Sequence, residues 1–136
     1  MIKIAVDCIG GDYSPSANVE GAVSALKKFD DITIVLYGDE NEIKKCLRDA
    51  EYPKDRLEIV NAPEAVSGND KPIDAIRMKQ NSSMIKAIRD MRENEDIKAF
   101  VSCGATGVLV GTSILRIGRK EGVRRPPFCP ILPTMN

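Results

Sequence analysis

Two glycine-containing segments, residues 7–12 and 102–107, each follow an apolar run that is typical of a buried strand. Glycine lets backbone N–H groups approach an anion closely, and the N-terminus of a following helix adds a partial positive charge. The candidate phosphate ligands in these segments are Gly10, Gly11, Ser102, Gly104, Thr106 and Gly107. Neither segment matches GxGxxG or the P-loop pattern, and glycine is also common in purely structural turns, so both interpretations stay open.

Cations and hydroxyls occur together a little further along the chain. A guanidinium can grip a phosphate through two parallel hydrogen bonds, and a lysine supplies a point charge. The candidates are Lys71, Arg77, Lys79, Ser82 and Ser83. The alternative is a solvated helix face preceded by capping serines, because runs of charged residues are usually solvated.

Two carboxylates, Asp7 and Asp12, lie at either end of the first glycine segment. Such a carboxylate could orient nearby cations or handle a proton, while the alternative for Asp7 is an aspartate that ends a strand in a turn. Cys103 precedes a predicted helix, where a thiol can have a lowered pKa and act as a nucleophile. No basic side chain adjoins Cys103 in the sequence, so we do not assign it that role.

The composition excludes several classes of protein. The 20 basic and 20 acidic residues leave no net charge, so no global field attracts nucleic acid. The four cysteines form no CxxC pair and the chain has no histidine, so we expect no metal and no cofactor. Since no signal peptide or long apolar run is present, we expect a cytoplasmic protein.

Strand and helix patterns alternate along the chain and position these candidates. Strands are predicted at residues 2–6, 32–36, 57–60 and 98–102. Predicted helices begin with Ser14 as cap and Pro15 as first residue, at a capping box of Asp39 and Glu42, at Pro72, and at Ser82 or Ser83. The segment 108–117 is apolar nearly all round, which predicts a helix buried on most sides. We therefore predict a three-layer α/β/α domain with a mostly parallel sheet.

The last residues of the chain do not continue the alternation of strand and helix patterns. From Arg124 onward it carries Pro126, Pro127, Pro130 and Pro133, so at most a short edge strand or an extended segment is expected. No closing helix follows. We therefore expect the chain to be a fragment of a longer protein.

Five segments in order along the chain resemble the phosphate acyltransferase family of bacterial phospholipid synthesis. They are AVDCIGGD (5–12), NVEGAVSALKKF (18–29), VLYGDE (35–40), NDKPIDAIRMKQNSSM (69–84) and FVSCGATGVLV (100–110). The resemblance implies a fold similar to that of isocitrate and isopropylmalate dehydrogenases, with the active site in a cleft between two domains. It also implies that residues 1–136 are the N-terminal α/β domain of a longer two-domain enzyme. Its implied reaction transfers a fatty acyl group from acyl carrier protein to inorganic phosphate. The product, acyl phosphate, serves glycerol-phosphate acylation.

The resemblance also implies a homodimer that associates peripherally with the inner face of the membrane, near the downstream glycerol-phosphate acyltransferase. This chain departs from the family pattern most clearly at Tyr13, where histidine is usual, and at Ala105, where asparagine is usual.

The hypothetical mechanism needs positioning and charge stabilisation more than a strong base, because phosphate is already anionic near neutral pH. We expect Arg77 and Lys79, with Lys71, to hold phosphate, and the N–H groups of residues 104–107 to bind phosphate or the developing oxyanion. Two alternatives remain: a non-catalytic anion- or nucleotide-binding module, and a dehydrogenase of the related fold.

Overall fold

The computed structural model of the protein describes residues 1–126 and residue 129. These described residues form four strands and five α-helices, with one short 3₁₀ turn at Lys54–Arg56. In order, they are β1 (Ile2–Asp7), α1 (Ser16–Lys28), β2 (Ile32–Gly38), α2 (Glu40–Leu47), β3 (Leu57–Asn61), α3 (Pro72–Met78), α4 (Ser83–Glu93), β4 (Ile97–Val101) and α5 (Thr106–Arg116). All four predicted strands are confirmed. The predicted extended segment at Pro127, Pro130 and Pro133 lies outside the described residues.

The four strands form one parallel sheet in the order β3-β2-β1-β4. The chain runs from β1 through β2 to β3 on one side, then crosses back through α3 and α4 to place β4 on the other side of β1. The direction of winding therefore reverses between β1 and β4, and the loops that follow these two strands lie side by side there. Such a switch point leaves a crevice at the carboxyl edge of the sheet.

Helices cover both faces of this sheet because its apolar residues alternate between them. Ile34 and Leu36 of β2 lie in one buried cluster with residues of α1 and α2. Val35 and Tyr37 lie in another cluster with Ala87 of α4. Period-two alternation of this kind places successive side chains on opposite faces. The α/β fold with a parallel sheet is thus confirmed.

The helix starts were predicted with mixed success. Asp39 caps α2 as predicted, since its Oδ1 accepts from the N–H groups of Asn41 and Glu42 at 2.9 and 3.0 Å. The Ser14 prediction was wrong: Pro15 precedes the first helical residue, and no side chain caps α1. Ser14 Oγ instead donates to the carbonyl of Ile9 at 2.9 Å, inside the loop between β1 and α1.

The prediction that the last helix is buried on most sides was also wrong. Only Val108 and Thr112 of α5 are buried within the described part of the chain. Leu115 is 64% exposed and Val110 38% exposed. Among the described residues, the helix packs against α3 and α4, and its apolar pattern continues onto exposed side chains.

Thr112 contains a buried hydroxyl, which accepts and donates no hydrogen bond among the described residues. A desolvated hydroxyl without a partner costs about 1–3 kcal/mol. Replacing Thr112 with valine, which has nearly the same shape, is therefore expected to raise the free energy of unfolding by about 1 kcal/mol. Urea denaturation of the two proteins measures the difference. Thr106→Val, at the exposed start of α5, is the matched control and should change stability by less than about 0.5 kcal/mol. A loss of stability in Thr112→Val would contradict the assignment.

Candidate functional site

Asp7 ends β1 at the switch point and is only 2% exposed. Its Oδ1 accepts hydrogen bonds from the N–H groups of Ile9 and Gly10, at 3.0 and 3.1 Å, and from Ser83 Oγ at 2.5 Å. Its Oδ2 accepts from Ser102 Oγ at 2.7 Å. One carboxylate therefore joins the loop after β1, the first residue of α4 and the loop after β4.

These four donors define what Asp7 does in the fold. An ionised carboxylate only accepts hydrogen bonds, and both oxygens of Asp7 are already engaged by protein donors. Asp7 is thus a positioning residue that fixes the two loops of the crevice. Its direct part in proton transfer stays a prediction, as does that of Asp12, which is exposed in the same loop.

The glycines of the two loops are in close contact with each other. A Cβ on Gly10 would lie 2.6 Å from Asp7 Oδ2 and 2.7 Å from the backbone nitrogen of Gly104. A Cβ on Gly104 would lie 2.9 Å from Met84 Cε. Gly11 has φ +104°, a left-handed conformation that favours glycine. Packing therefore accounts for these glycines without any ligand.

The backbone donors of the two loops differ in whether they are already used. The N–H of Gly10 is donated to Asp7, and the N–H of Gly104 is donated to Ser102 Oγ at 3.0 Å. At the start of α5, by contrast, Ala105 provides no side-chain cap. The first N–H groups of a helix have no intrahelical acceptor, so those of Thr106 and Gly107 are the ones that could bind an anion.

The predicted cations lie in different environments. Lys79 Nζ donates to the carbonyl of Ala65 at 2.9 Å and to Asp70 Oδ2 at 2.6 Å. These two hydrogen bonds stabilise the conformation of the loop 61–71. This lysine, together with the N–H of Ser67, lowers the pKa of Asp70. Arg77 is exposed on α3. Among the described residues, it makes no hydrogen bond to Asp7, Ser83 or Ser102.

Lys71 is exposed and immediately precedes α3, whose first residue lies against α5. A Cβ on Gly107 would be 3.9 Å from the ring of Pro72, and one on Gly111 would be 3.4 Å from it. Lys71 therefore directly precedes the residue of α3 that packs near Gly107 and Gly111 of α5.

The two serines at the start of α4 are both engaged inside the protein. Ser82 is fully buried, and its Oγ accepts from the N–H of Ile85 at 3.4 Å as the cap of the helix. Ser83 is 2% exposed and donates to Asp7. Contact of either hydroxyl with phosphate stays a prediction.

Asn18 belongs to the same site and was missed from the sequence. Its Nδ2 donates to the carbonyl of Asp7 at 2.6 Å and to that of Gly10 at 2.9 Å, so α1 also holds the first loop. The available signal was its position four residues before Ala22, which places a polar side chain on the buried side of an amphipathic helix.

The thiols near the site differ in exposure. Cys8 is fully buried, and burial, with a smaller contribution from the charge of Asp7, raises its pKa to about 12. Cys8 therefore stays protonated and unreactive at neutral pH. Cys103 is exposed at the crevice. Among the described residues, no group of three or more histidine, cysteine or acidic side chains is placed to hold a metal ion.

The fold is that of a doubly wound α/β domain with a polar crevice at its switch point. In proteins of this class, ligands bind beyond the carboxyl ends of the strands. Within that class, the family model described as "Fatty acid synthesis protein" matches residues 2–136. The chain belongs to this family, and its resemblance to the phosphate acyltransferases is confirmed.

Three curated relatives illustrate the similarity, and each is named phosphate acyltransferase. The relative from Dictyoglomus thermophilum is 42% identical over 134 residues, which are 98% of this chain and 39% of that protein. One from Clostridium perfringens is 41% identical over 135 residues, covering 99% and 40%. One from Halalkalibacterium halodurans is 42% identical over 135 residues, covering 99% and 39%. The chain thus spans about two fifths of the length of these relatives.

In the part of the chain that the structure describes, no helix combines the length and apolar character needed to cross a membrane.

Proposed function

We propose that this chain forms one wall of the active site of a phosphate acyltransferase, which moves a fatty acyl group from acyl carrier protein to inorganic phosphate. The names of the relatives support acyl transfer. The observation that carries the phosphate site is the N-terminus of α5, which Ala105 does not cap and near which Pro72, the residue after Lys71, is packed. A helix N-terminus favours an anion through its free N–H groups and its dipole.

The proposed reaction does not require a strong general base. A phosphate oxygen attacks the thioester carbonyl, the new C–O bond forms, the C–S bond breaks and the carrier leaves as a thiolate that takes up a proton. Phosphate is anionic already, so the protein has to hold it and to stabilise negative charge on the carbonyl oxygen. The backbone N–H groups at the start of α5, with Lys71 and Arg77, are suited to hold the phosphate.

Arg77 and Lys71 provide the test of phosphate binding. We expect Arg77→Ala and Lys71→Ala each to raise the phosphate concentration needed for half of the thermal stabilisation by at least about tenfold, since a hydrogen bond to a charged group contributes about 1.5–3 kcal/mol. The fold should stay intact, because both side chains are exposed. A thermal-shift titration of this chain with inorganic phosphate measures the effect.

Arg48→Ala, which removes an exposed arginine beyond the end of α2, is the matched control and should leave the titration unchanged. An unaltered phosphate response in both site variants would refute their role. NAD and acyl phosphate complete the panel. Stabilisation by NAD without any by phosphate would favour a dehydrogenase, and stabilisation by phosphate without acyl transfer in the longer protein would favour a binding module.

A further inference from the structure

Lys79 forms an ion pair that joins the two ends of α3. Its Nζ donates to Asp70 Oδ2 at 2.6 Å. Asp70 lies two residues before Pro72, the first residue of α3, and Lys79 directly follows Met78, the last. The same Nζ donates to the carbonyl of Ala65 at 2.9 Å. One ammonium group therefore holds the segment that leads into α3 against the end of the helix, an arrangement we call the Lys79 clamp.

The helix between the two ends depends on such contacts. α3 has seven residues, and an isolated helix shorter than about 12 residues is marginal in water. Its buried residues are Ala75 and Ile76. Because two buried side chains provide limited packing, the position of α3 should depend strongly on how its ends are held.

The ion pair of the clamp is better protected from water than a second pair of the same length. The side chains of Lys79 and Asp70 are 29% and 26% exposed. Lys45 and Glu42 of α2 also lie 2.6 Å apart, but their side chains are 61% and 53% exposed. Water and salt screen a partly buried pair less than an exposed one, so the clamp should contribute more.

The two cations that the proposed function assigns to phosphate lie within the clamped segment. Lys71 directly follows Asp70 as the N-cap residue of α3, and Arg77 is in the last turn of that helix. Both are exposed, and among the described residues neither takes part in a salt bridge. Lys79 differs from them, because its ammonium group is already bound by two oxygen atoms of the protein.

We propose that Lys79 is a positioning residue of the phosphate site, which through Asp70 holds α3 so that Lys71 and Arg77 can bind one anion together. The proposal rests on the proposed function, because it concerns the placement of that site's cations. A lysine that bound phosphate directly would share its ammonium group with Asp70, and this carboxylate would compete with phosphate for the charge. In the positioning role, Asp70 supports phosphate binding instead.

Asp70→Ala separates the two roles, because they predict opposite changes. Removing a carboxylate next to Lys71 makes the local charge more positive, so charge alone should strengthen phosphate binding. Loss of the clamp should weaken it. We expect the phosphate concentration for half of the thermal stabilisation to rise by about fivefold. A thermal-shift titration of this chain with inorganic phosphate measures the change, and an unchanged or lower concentration overturns the proposal.

Lys79→Met keeps an unbranched apolar side chain and removes the charge of the same pair. It should raise the phosphate concentration about as much as Asp70→Ala, and the double variant should go little further, since all three remove one interaction. Effects that multiply in the double variant contradict the clamp. Lys45→Met is the matched control, because it removes the lysine of the exposed pair with Glu42 and should leave the titration unchanged. An equal effect in this control would overturn the specific role of Lys79.

Hydrogen exchange tests the clamp without phosphate. In Asp70→Ala and Lys79→Met, amides of residues 63–71 should exchange at least about fivefold faster than in the wild type, and those of β1 and β2 should not change. Mass spectrometry of peptic peptides measures the rates. Lys79→Met is the more decisive variant, because the N–H of Ser67 donates directly to Asp70. Unchanged exchange in it overturns the proposal. A wild-type chain that phosphate does not stabilise contradicts the proposed phosphate site, and faster exchange in both variants would still support the clamp.

Discussion

Replacing Asp7 with alanine is expected to lower the free energy of unfolding by about 3–5 kcal/mol, the largest effect of any substitution considered for this protein. The carboxylate accepts four hydrogen bonds at a position that is 2% exposed. Alanine removes the acceptor and leaves the hydroxyls of Ser83 and Ser102 and two backbone N–H groups without a partner. An unmet buried donor costs more than a hydrogen bond gains, and a small domain has only about 5–15 kcal/mol in total.

Two further variants separate this network from an ordinary turn. Asp39→Ala removes a carboxylate at the carboxyl end of the neighbouring strand, where it accepts from two N–H groups in a partly exposed position. Loss of such a cap costs about 1 kcal/mol. Asp7→Asn keeps Oδ1 and should fall between the two alanine variants. Urea denaturation of the three proteins ranks them, and equal losses in Asp7→Ala and Asp39→Ala would reject the central role of Asp7.

Gly10→Ala is expected to be the second most damaging change, with a loss of about 3 kcal/mol. The new methyl group would lie 2.6 Å from Asp7 Oδ2 and 2.7 Å from the backbone nitrogen of Gly104. Neither neighbour can move cheaply, because Asp7 is held by four hydrogen bonds and Gly104 by Ser102. The two loops of the crevice would have to separate.

The same substitution at Gly21 is the matched control. A Cβ there meets nothing within 4 Å, and alanine is the better helix former by about 1 kcal/mol. Gly21→Ala should therefore stabilise the chain. Thermal or urea denaturation compares the two, and a Gly10→Ala protein as stable as the wild type would show that the loops are not tightly packed.

Much of the fold was predictable because it depends on local patterns. The apolar runs at 2–6 and 32–36 became β1 and β2, and the Asp39 cap formed as predicted. Alternation of strands with helices requires parallel crossovers, so a parallel sheet followed from the sequence as well. The predictions were wrong where one local sequence pattern is compatible with two different structures. Ser14 could cap a helix or bond to a nearby carbonyl, and an apolar α5 could be covered on all sides or on one.

The candidate site was predictable only in part. The two glycine segments and Asp7 were identified from their types and positions, but the reason for the glycines was not. Sequence suggested that they approach a phosphate, whereas the structure shows that Gly10 and Gly104 approach each other. Of the N–H groups at residues 104–107 that the sequence suggested for an anion, that of Gly104 is donated to Ser102, and the role of those of Thr106 and Gly107 at the start of α5 stays a prediction.

The sequence by itself determined the order of strands and helices, the carboxyl edge where polar residues gather, and the family through its five ordered segments. Only the tertiary structure decided what Asp7 does. Its partners Ser83 and Ser102 are 76 and 95 residues away along the chain. No local preference specifies such a contact, because it forms only when the crossover through α4 returns β4 to the side of β1.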